Sequence, residues 1–198
     1  MLLPALVCAL AAGVAGAAPV HVQAVGSDGK PLAEAVVFLE SREARAAARP
    51  LVNVEVAQAD RRFVKRVTVV TVGTEVRFAN LDKVRHHVYS FSPAKNFELK
   101  LFTGVAANPV VFDKAGIAVL GCNIHDNMVA WVVVVETPHH AVADARGSVH
   151  LHNVPPGSYR LRTWHPGLPL GTEPAPVALT IGAADAEHAA RLSVRNEP

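Results

Sequence analysis

The chain is written in short apolar runs that alternate with polar positions, punctuated by Gly, Pro, Asn and Asp. Such period-two runs predict half-buried strands. Val20 to Val25 alternates loosely and Ala35 to Leu39 is a second run. Between them, Ser27-Asp28-Gly29-Lys30-Pro31-Leu32 is turn chemistry, since Gly tolerates positive φ and Pro fixes its own. The two runs read as a hairpin. Glu40 to Arg49 then changes character: it is Ala-rich and charged, with good helix propensity, and Pro50 stops it. It reads as a short solvated helix or linker at a boundary between modules.

Further strands are predicted at Val52–Val56, Val67–Val72 and Glu75–Phe78, with Gly73-Thr74 as a turn. Arg61 to Arg66 is basic and brief, which suits a solvated edge strand. After Phe91 a longer loop is expected, broken by Ser92-Pro93 and Asn108-Pro109. Val110–Phe112, Ile117–Leu120 and Val129–Glu136 follow as strands, and Thr137-Pro138 closes that stretch. Beyond it, strands are expected at Val149–Leu151, Ser158–Trp164, Val177–Ile181 and Ala190–Val194, separated by Asp144–Gly147 and Val154–Gly157 turns. The fold class is all-β.

Composition sharpens this picture. At 198 residues and 51% apolar content the chain can bury a sizeable core, as one domain or two small ones. Charged residues make up 18% and the formal net charge is +2, so there is no electrostatic case for nucleic acid. Met1 to Ala17 has no charged side chain and ends in an Ala-x-Ala pattern. It reads as a secretory signal peptide cleaved after Ala17, although no Lys or Arg stands near Met1. An uncleaved anchor is disfavoured because the stretch is short and rich in Ala and Gly. The mature chain is then periplasmic or otherwise extracytoplasmic, with no membrane span. Cleavage removes Cys8 and leaves Cys122 as a lone thiol, which is inert, reactive or a metal ligand.

Cys122, His125 and Met128 fall at i, i+3 and i+6 in a short loop between two apolar runs. Thiol, imidazole and thioether together form a soft donor set that suits copper. A second imidazole has to come from elsewhere, and His86-His87 stands at a strand-like run upstream. Successive strand side chains face opposite ways, so the two cannot both reach one ion without distortion. The bland alternative is a Cys that is simply a small buried hydrophobe. His150 and His152 share one strand face, and His139-His140 lies nearby in sequence, but a second metal site there lacks a close Cys or carboxylate. His21, His165 and His188 read as solvated. No general acid–base pair or activated nucleophile stands out, so the chain does not read as an enzyme.

From about Val52 to Glu136 the chain resembles the cupredoxins, the blue copper proteins that include plastocyanin and amicyanin. Three pieces carry the resemblance: Gly73-Thr74-Glu75-Val76-Arg77-Phe78-x-Asn80, then Asp82-x-Val84-x-His86-x-Val88, then Phe112-x-x-x-Gly116 leading to Cys122, His125 and Met128. The ligand loop resembles that of amicyanin in length. The resemblance implies a cupredoxin Greek-key β-sandwich over residues 50–138. It implies one type 1 copper ion held by His86, Cys122, His125 and Met128, with His86 rather than His87 chosen by its distance from Asn80 and Val88. It further implies that the ring edge of His125 reaches the surface within an apolar docking patch. Single electrons would pass there between redox protein partners, by analogy a dehydrogenase donor and a cytochrome acceptor. Two positions depart from the family: His87 stands where Asn is frequent, and Asn123 where Ser or Thr is frequent. Asn123 retains the capacity to donate across the loop.

Residues 18–45 and 139–198 flank that module. Their pieces Asp28-Gly29-Lys30-Pro31-Leu32-x-x-Ala35-Val36-Val37, Val154-Pro155-Pro156-Gly157-Ser158-Tyr159-Arg160-Leu161 and His165-Pro166-Gly167 resemble the transthyretin-like sandwich found beside carboxypeptidases. This implies a cupredoxin inserted into a second small β-sandwich; the alternative is that the flanks merely extend the cupredoxin sheets. The rival functions are a periplasmic copper chaperone or storage protein using the same ligands, and a purely structural sandwich.

Overall fold

The computed structural model describes residues 17–169, 171–182 and 186–192, the last of these as backbone. The expected leader up to residue 16, with Cys8, lies outside the described residues, as do the side chain of His188 and residues 193–194 of the last expected strand.

In chain order the strands are β1 (Ala18–Gly26), β2 (Val36–Glu40), β3 (Val54–Ala59), β4 (Arg62–Phe63), β5 (Val67–Thr71), β6 (Thr74–Asn80), β7 (His86–Ser92), β8 (Lys95–Phe102) and β9 (Gly104–Val105). They continue as β10 (Val110–Phe112), β11 (Gly116–Gly121), β12 (Val129–Val135), β13 (His140–Val142), β14 (Ser148–Val154), β15 (Gly157–Trp164), β16 (Val177–Ile181) and β17 (Ala186–Leu192). One short helix, α1 (Arg42–Ala47), is capped by the Ser41 hydroxyl, which accepts from the Ala44 amide. The fold is all-β, as the alternation predicts.

Among the described residues four sheets form, ordered β14-β1-β17, β13-β2-β15-β16, β5-β12-β11-β7-β8 and β10-β6-β3-β4, the last with β9 paired to β6. The two five-stranded sheets share a core built round Phe78, Phe112, Leu120 and Val132, which makes them a two-layer β-sandwich. The other two sheets share a core of Val20, Val22, Leu39, Leu151 and Leu161. A third cluster, Val36, Val67, Val133, Val135 and Trp164, joins β2 and β15 to β5 and β12.

The central strands show why. In β2, Val37 and Leu39 face one core while Val36 and Phe38 face the third cluster. In β12, Val132 and Val134 face the Phe78 core while Val133 and Val135 face the third cluster. A strand buried on both faces must be apolar throughout, which accounts for the unbroken valine run. Along the chain, the path leaves its sheet after β2 and returns at β13, which pairs antiparallel with β2.

Two expectations are corrected. β1 and β2 are not a hairpin: they lie in different sheets. The turn between them is real, with Gly26 donating to the Lys30 carbonyl, but the chain then crosses the core through Glu34 at φ 62°. Crossing lets each strand bury its own apolar face opposite the other. The loop expected after Phe91 instead holds β8 and β9. β8 is an edge strand whose Phe97 and Leu99 pack inward while Glu98 and Lys100 face out.

Candidate metal centre

The ligand loop is the connection of an antiparallel pair. β11 ends at Gly121 opposite Val129 of β12, and residues 122–128 span the gap. Gly121 also pairs with Tyr89 of β7, and the Val119 amide donates to the Ser92 hydroxyl between the same two strands. His86, at the start of β7, is thereby brought beside Cys122. A Cβ at 121 would sit 2.7 Å from Tyr89 Cζ, so any side chain there would have to push that ring aside.

The donor atoms converge. Cys122 Sγ lies 3.9 Å from His86 Nδ1 and 3.6 Å from His125 Nδ1. All three donors fall within 4.8 Å of one another, the only such group of His, Cys, Asp and Glu among the described residues. The His86 and His125 rings are 4.9 Å apart, centroid to centroid. A first-row ion with zinc-like bonds of about 2.0 Å to nitrogen and about 2.3 Å to sulfur sets such donors about 3.5–3.7 Å apart, so the group fits an ion. His86 and Cys122 are buried, and His125 is half-buried. Met128 is buried in the same core, and its amide donates to the His125 carbonyl, closing the loop.

The neighbours answer two questions left by the sequence. His87 points to the other face of β7, with Nε2 2.9 Å from Glu98 Oε1 but without hydrogen-bond alignment. It takes no part in the donor group. The Asn123 side chain is exposed and makes no hydrogen bond among the described residues, so it does not brace the loop. The second metal site that the sequence disfavoured does not form among the described residues: His150 packs edge-on against His21 at 4.4 Å and contacts Ser148.

One residue of the site was not singled out for a role. Asp82 Oδ2 lies 2.7 Å from His86 Nε2. The same carboxylate accepts the amides of Asp60 and Arg61 at 2.8 and 3.0 Å. The Arg61 amide first, then the His86 ring and the Asp60 amide, hold this carboxyl below the usual carboxylate range. The signal present in the sequence is the i, i+4 spacing of Asp82 and His86. The Asn80 side chain secures the loop by accepting from the Asp82 amide and donating to the carbonyls of Val84 and Phe102.

No protein-family model and no curated protein matches the chain. Comparison with solved structures finds amicyanins. The reduced Cu(I) form of an amicyanin variant at pH 4 is 21% identical, with a TM-score of 0.39, covering 50% of this chain and 98% of that one. An oxidised amicyanin variant is 20% identical, with a TM-score of 0.39 and the same coverage of 50% and 98%. Amicyanin from Paracoccus versutus is 19% identical, with a TM-score of 0.37, covering 50% of this chain and 97% of that one. No helix among the described residues is long and apolar enough to cross a membrane.

Proposed function

We propose that the chain is an exported carrier of single electrons, built round one type 1 copper ion held by His86, Cys122, His125 and Met128. The observation that carries this reading is the convergence of two imidazole Nδ1 atoms on one buried cysteine sulfur. Copper bound there supplies one reversible electron; two imidazoles, a thiolate and a weak thioether suit both of its oxidation states. The protein's part is rigidity. His86 and Cys122 stand at the ends of sheet strands, and Met128 is packed in the core, so the donors have little freedom to rearrange.

In this reading electrons pass at the half-buried His125. Ile124 and Val129 beside it are 50% and 41% exposed, which supports an apolar docking patch there for a redox protein such as a dehydrogenase donor or a cytochrome acceptor. We assign residues 50–138 to the copper module and residues 18–45 and 139–198 to a second small sandwich that carries it. The β2-to-β13 excursion supports that division. The apolar segment 1–17 supports export to the periplasm or another extracytoplasmic space.

The test is spectroscopic. The chain from Ala18, loaded with Cu(II), is expected to show an intense blue thiolate-to-copper band and narrow copper hyperfine splitting, both lost in Cys122→Ala. Copper bound without that band would favour a copper chaperone or storage protein instead. No copper bound after reconstitution would leave a purely structural sandwich.

A further inference from the structure

We infer that Asp82 is a positioning residue for the metal centre: it holds the His86 ring in the tautomer whose Nδ1 is bare and faces Cys122. The inference rests on the metal-site reading above only in taking His86 Nδ1 as a donor atom. The tautomer itself is a property of the protein without metal.

An ionised carboxylate accepts hydrogen bonds and donates none, whereas a neutral imidazole carries one N–H and one bare nitrogen. With Asp82 Oδ2 2.7 Å from Nε2, the proton belongs on Nε2. Nδ1 is then the bare nitrogen, and it is the atom that lies 3.9 Å from Cys122 Sγ. The reverse tautomer would set a bare Nε2 against a carboxylate inside the protein, with His86 fully buried and the Asp82 side chain only 16% exposed. Two acceptors facing each other at that distance repel.

The carboxylate is itself held by a turn that has no other evident reason for its residues. Asp60 and Arg61 join β3 to β4, with Ala59 paired to Arg62. Both take left-handed φ, 53° and 56°. A two-residue turn of that kind usually carries glycine, and neither position has it here. Such a pair is strained by about 1–3 kcal/mol per residue and persists where surrounding contacts over-determine it. Here its two amides point at one acceptor group: Asp60 N–H meets Oδ1 and Arg61 N–H meets Oδ2 of Asp82. The Asp82 amide donates to Asn80 Oδ1, so the backbone of the residue is fixed as well. Ligand orientation at β7 is thus tied through one carboxylate to a turn on the opposite sheet.

The measurement uses the full chain, metal-free, with nitrogen-15-labelled histidine, at neutral pH. His86 is expected to show a protonated Nε2 and a bare Nδ1 in the unmutated protein. Removing the carboxylate also removes the support of the turn, so Asp82→Ala is made together with Arg61→Gly, which gives the turn its usual glycine. In that pair the single-tautomer signal is expected to be lost, and Cu(II) affinity to fall about 10- to 100-fold. Asp82→Asn keeps one oxygen that can accept from both Nε2 and the Arg61 amide, and is expected to retain the tautomer. A protonated Nδ1 or a mixture in the unmutated protein overturns the inference, whether or not the variants fold. An unchanged tautomer in the Asp82→Ala, Arg61→Gly pair, which has no side-chain oxygen at 82, overturns it too. If the tautomer behaves as stated but no copper binds, the metal reading fails and the positioning role of Asp82 stands.

Discussion

Gly121 and Tyr89 show how tightly the donor group is framed. A methyl at 121 has to displace the Tyr89 ring, which lies on the strand that also bears His86. Gly121→Ala is expected to cost about 1–3 kcal/mol, the usual penalty of overpacking, and to broaden the copper spectrum through its neighbour Cys122. Denaturant melts with and without copper, beside the visible spectrum, check both. Asp144, outside the donor group, sits in the turn before β14. Its carboxyl is held below the ordinary value of 3.8 chiefly by the Ser148 amide, with help from the Arg146 amide. A depressed folded-state pKa stabilises above the unfolded value and is lost as pH falls through the folded one. The melting-temperature gap between the unmutated chain and Asp144→Ala should therefore be steady above about pH 5 and narrow below 3.8. A gap that widens on acidification would refute the assignment. Strand alternation alone sets His86 and His87 on opposite faces; Asp82's hold on Asp60 and Arg61 was not legible, because it joins residues 21 and 22 apart across two sheets.

Elements were legible where their period was clean and obscure where two demands mixed. The valine run of β12 announced a strand, and its burial on both faces explains why no polar residue interrupts it. β8 escaped notice because an edge strand keeps one face in water: Glu98 and Lys100 dilute the Phe97-x-Leu99 signal, and flanking prolines suggested a loop. The turn before β14 was correctly anticipated from Gly147, which the structure holds at φ 73°. A Cβ there would fall 2.4 Å from the Ala24 carbonyl oxygen, and the Ala24 amide already donates to the Gly147 carbonyl. Gly147→Ala is expected to destabilise by about 1–3 kcal/mol from backbone strain alone, with the clash in addition. Urea unfolding at fixed pH measures it; a change under about 0.5 kcal/mol, the ordinary surface effect, would mean the turn relaxes freely.

At the scale of the molecule, the seam between the two cores carries the coupling. Trp164 of β15 lies 6.2 Å from Trp131 of β12, ring centre to ring centre, within the cluster that joins the sheets. Trp164→Ala is expected to lose about 3–5 kcal/mol and to split thermal unfolding into two calorimetric transitions, one of them tracked by the copper band. A single transition at unchanged temperature would show that the seam contributes no coupling.

Short-range pattern was sufficient for the class of fold and for the core of the donor set. Strand periodicity is a property of neighbouring residues, and Cys122, His125 and Met128 stand within one seven-residue loop, so both can be read without knowing what lies across the sheet. Partnership was decided only by folding. β3 pairs parallel with β6, β5 with β12 and β1 with β17, and no strand's own pattern names its partner. Which edges meet depends on closing long loops over a shared apolar core, a whole-chain balance that no local window contains. The same folding brings Asp82 to the strained turn and His86 to Cys122, because charges and ring nitrogens separated along the chain acquire partners only once the sheets have closed.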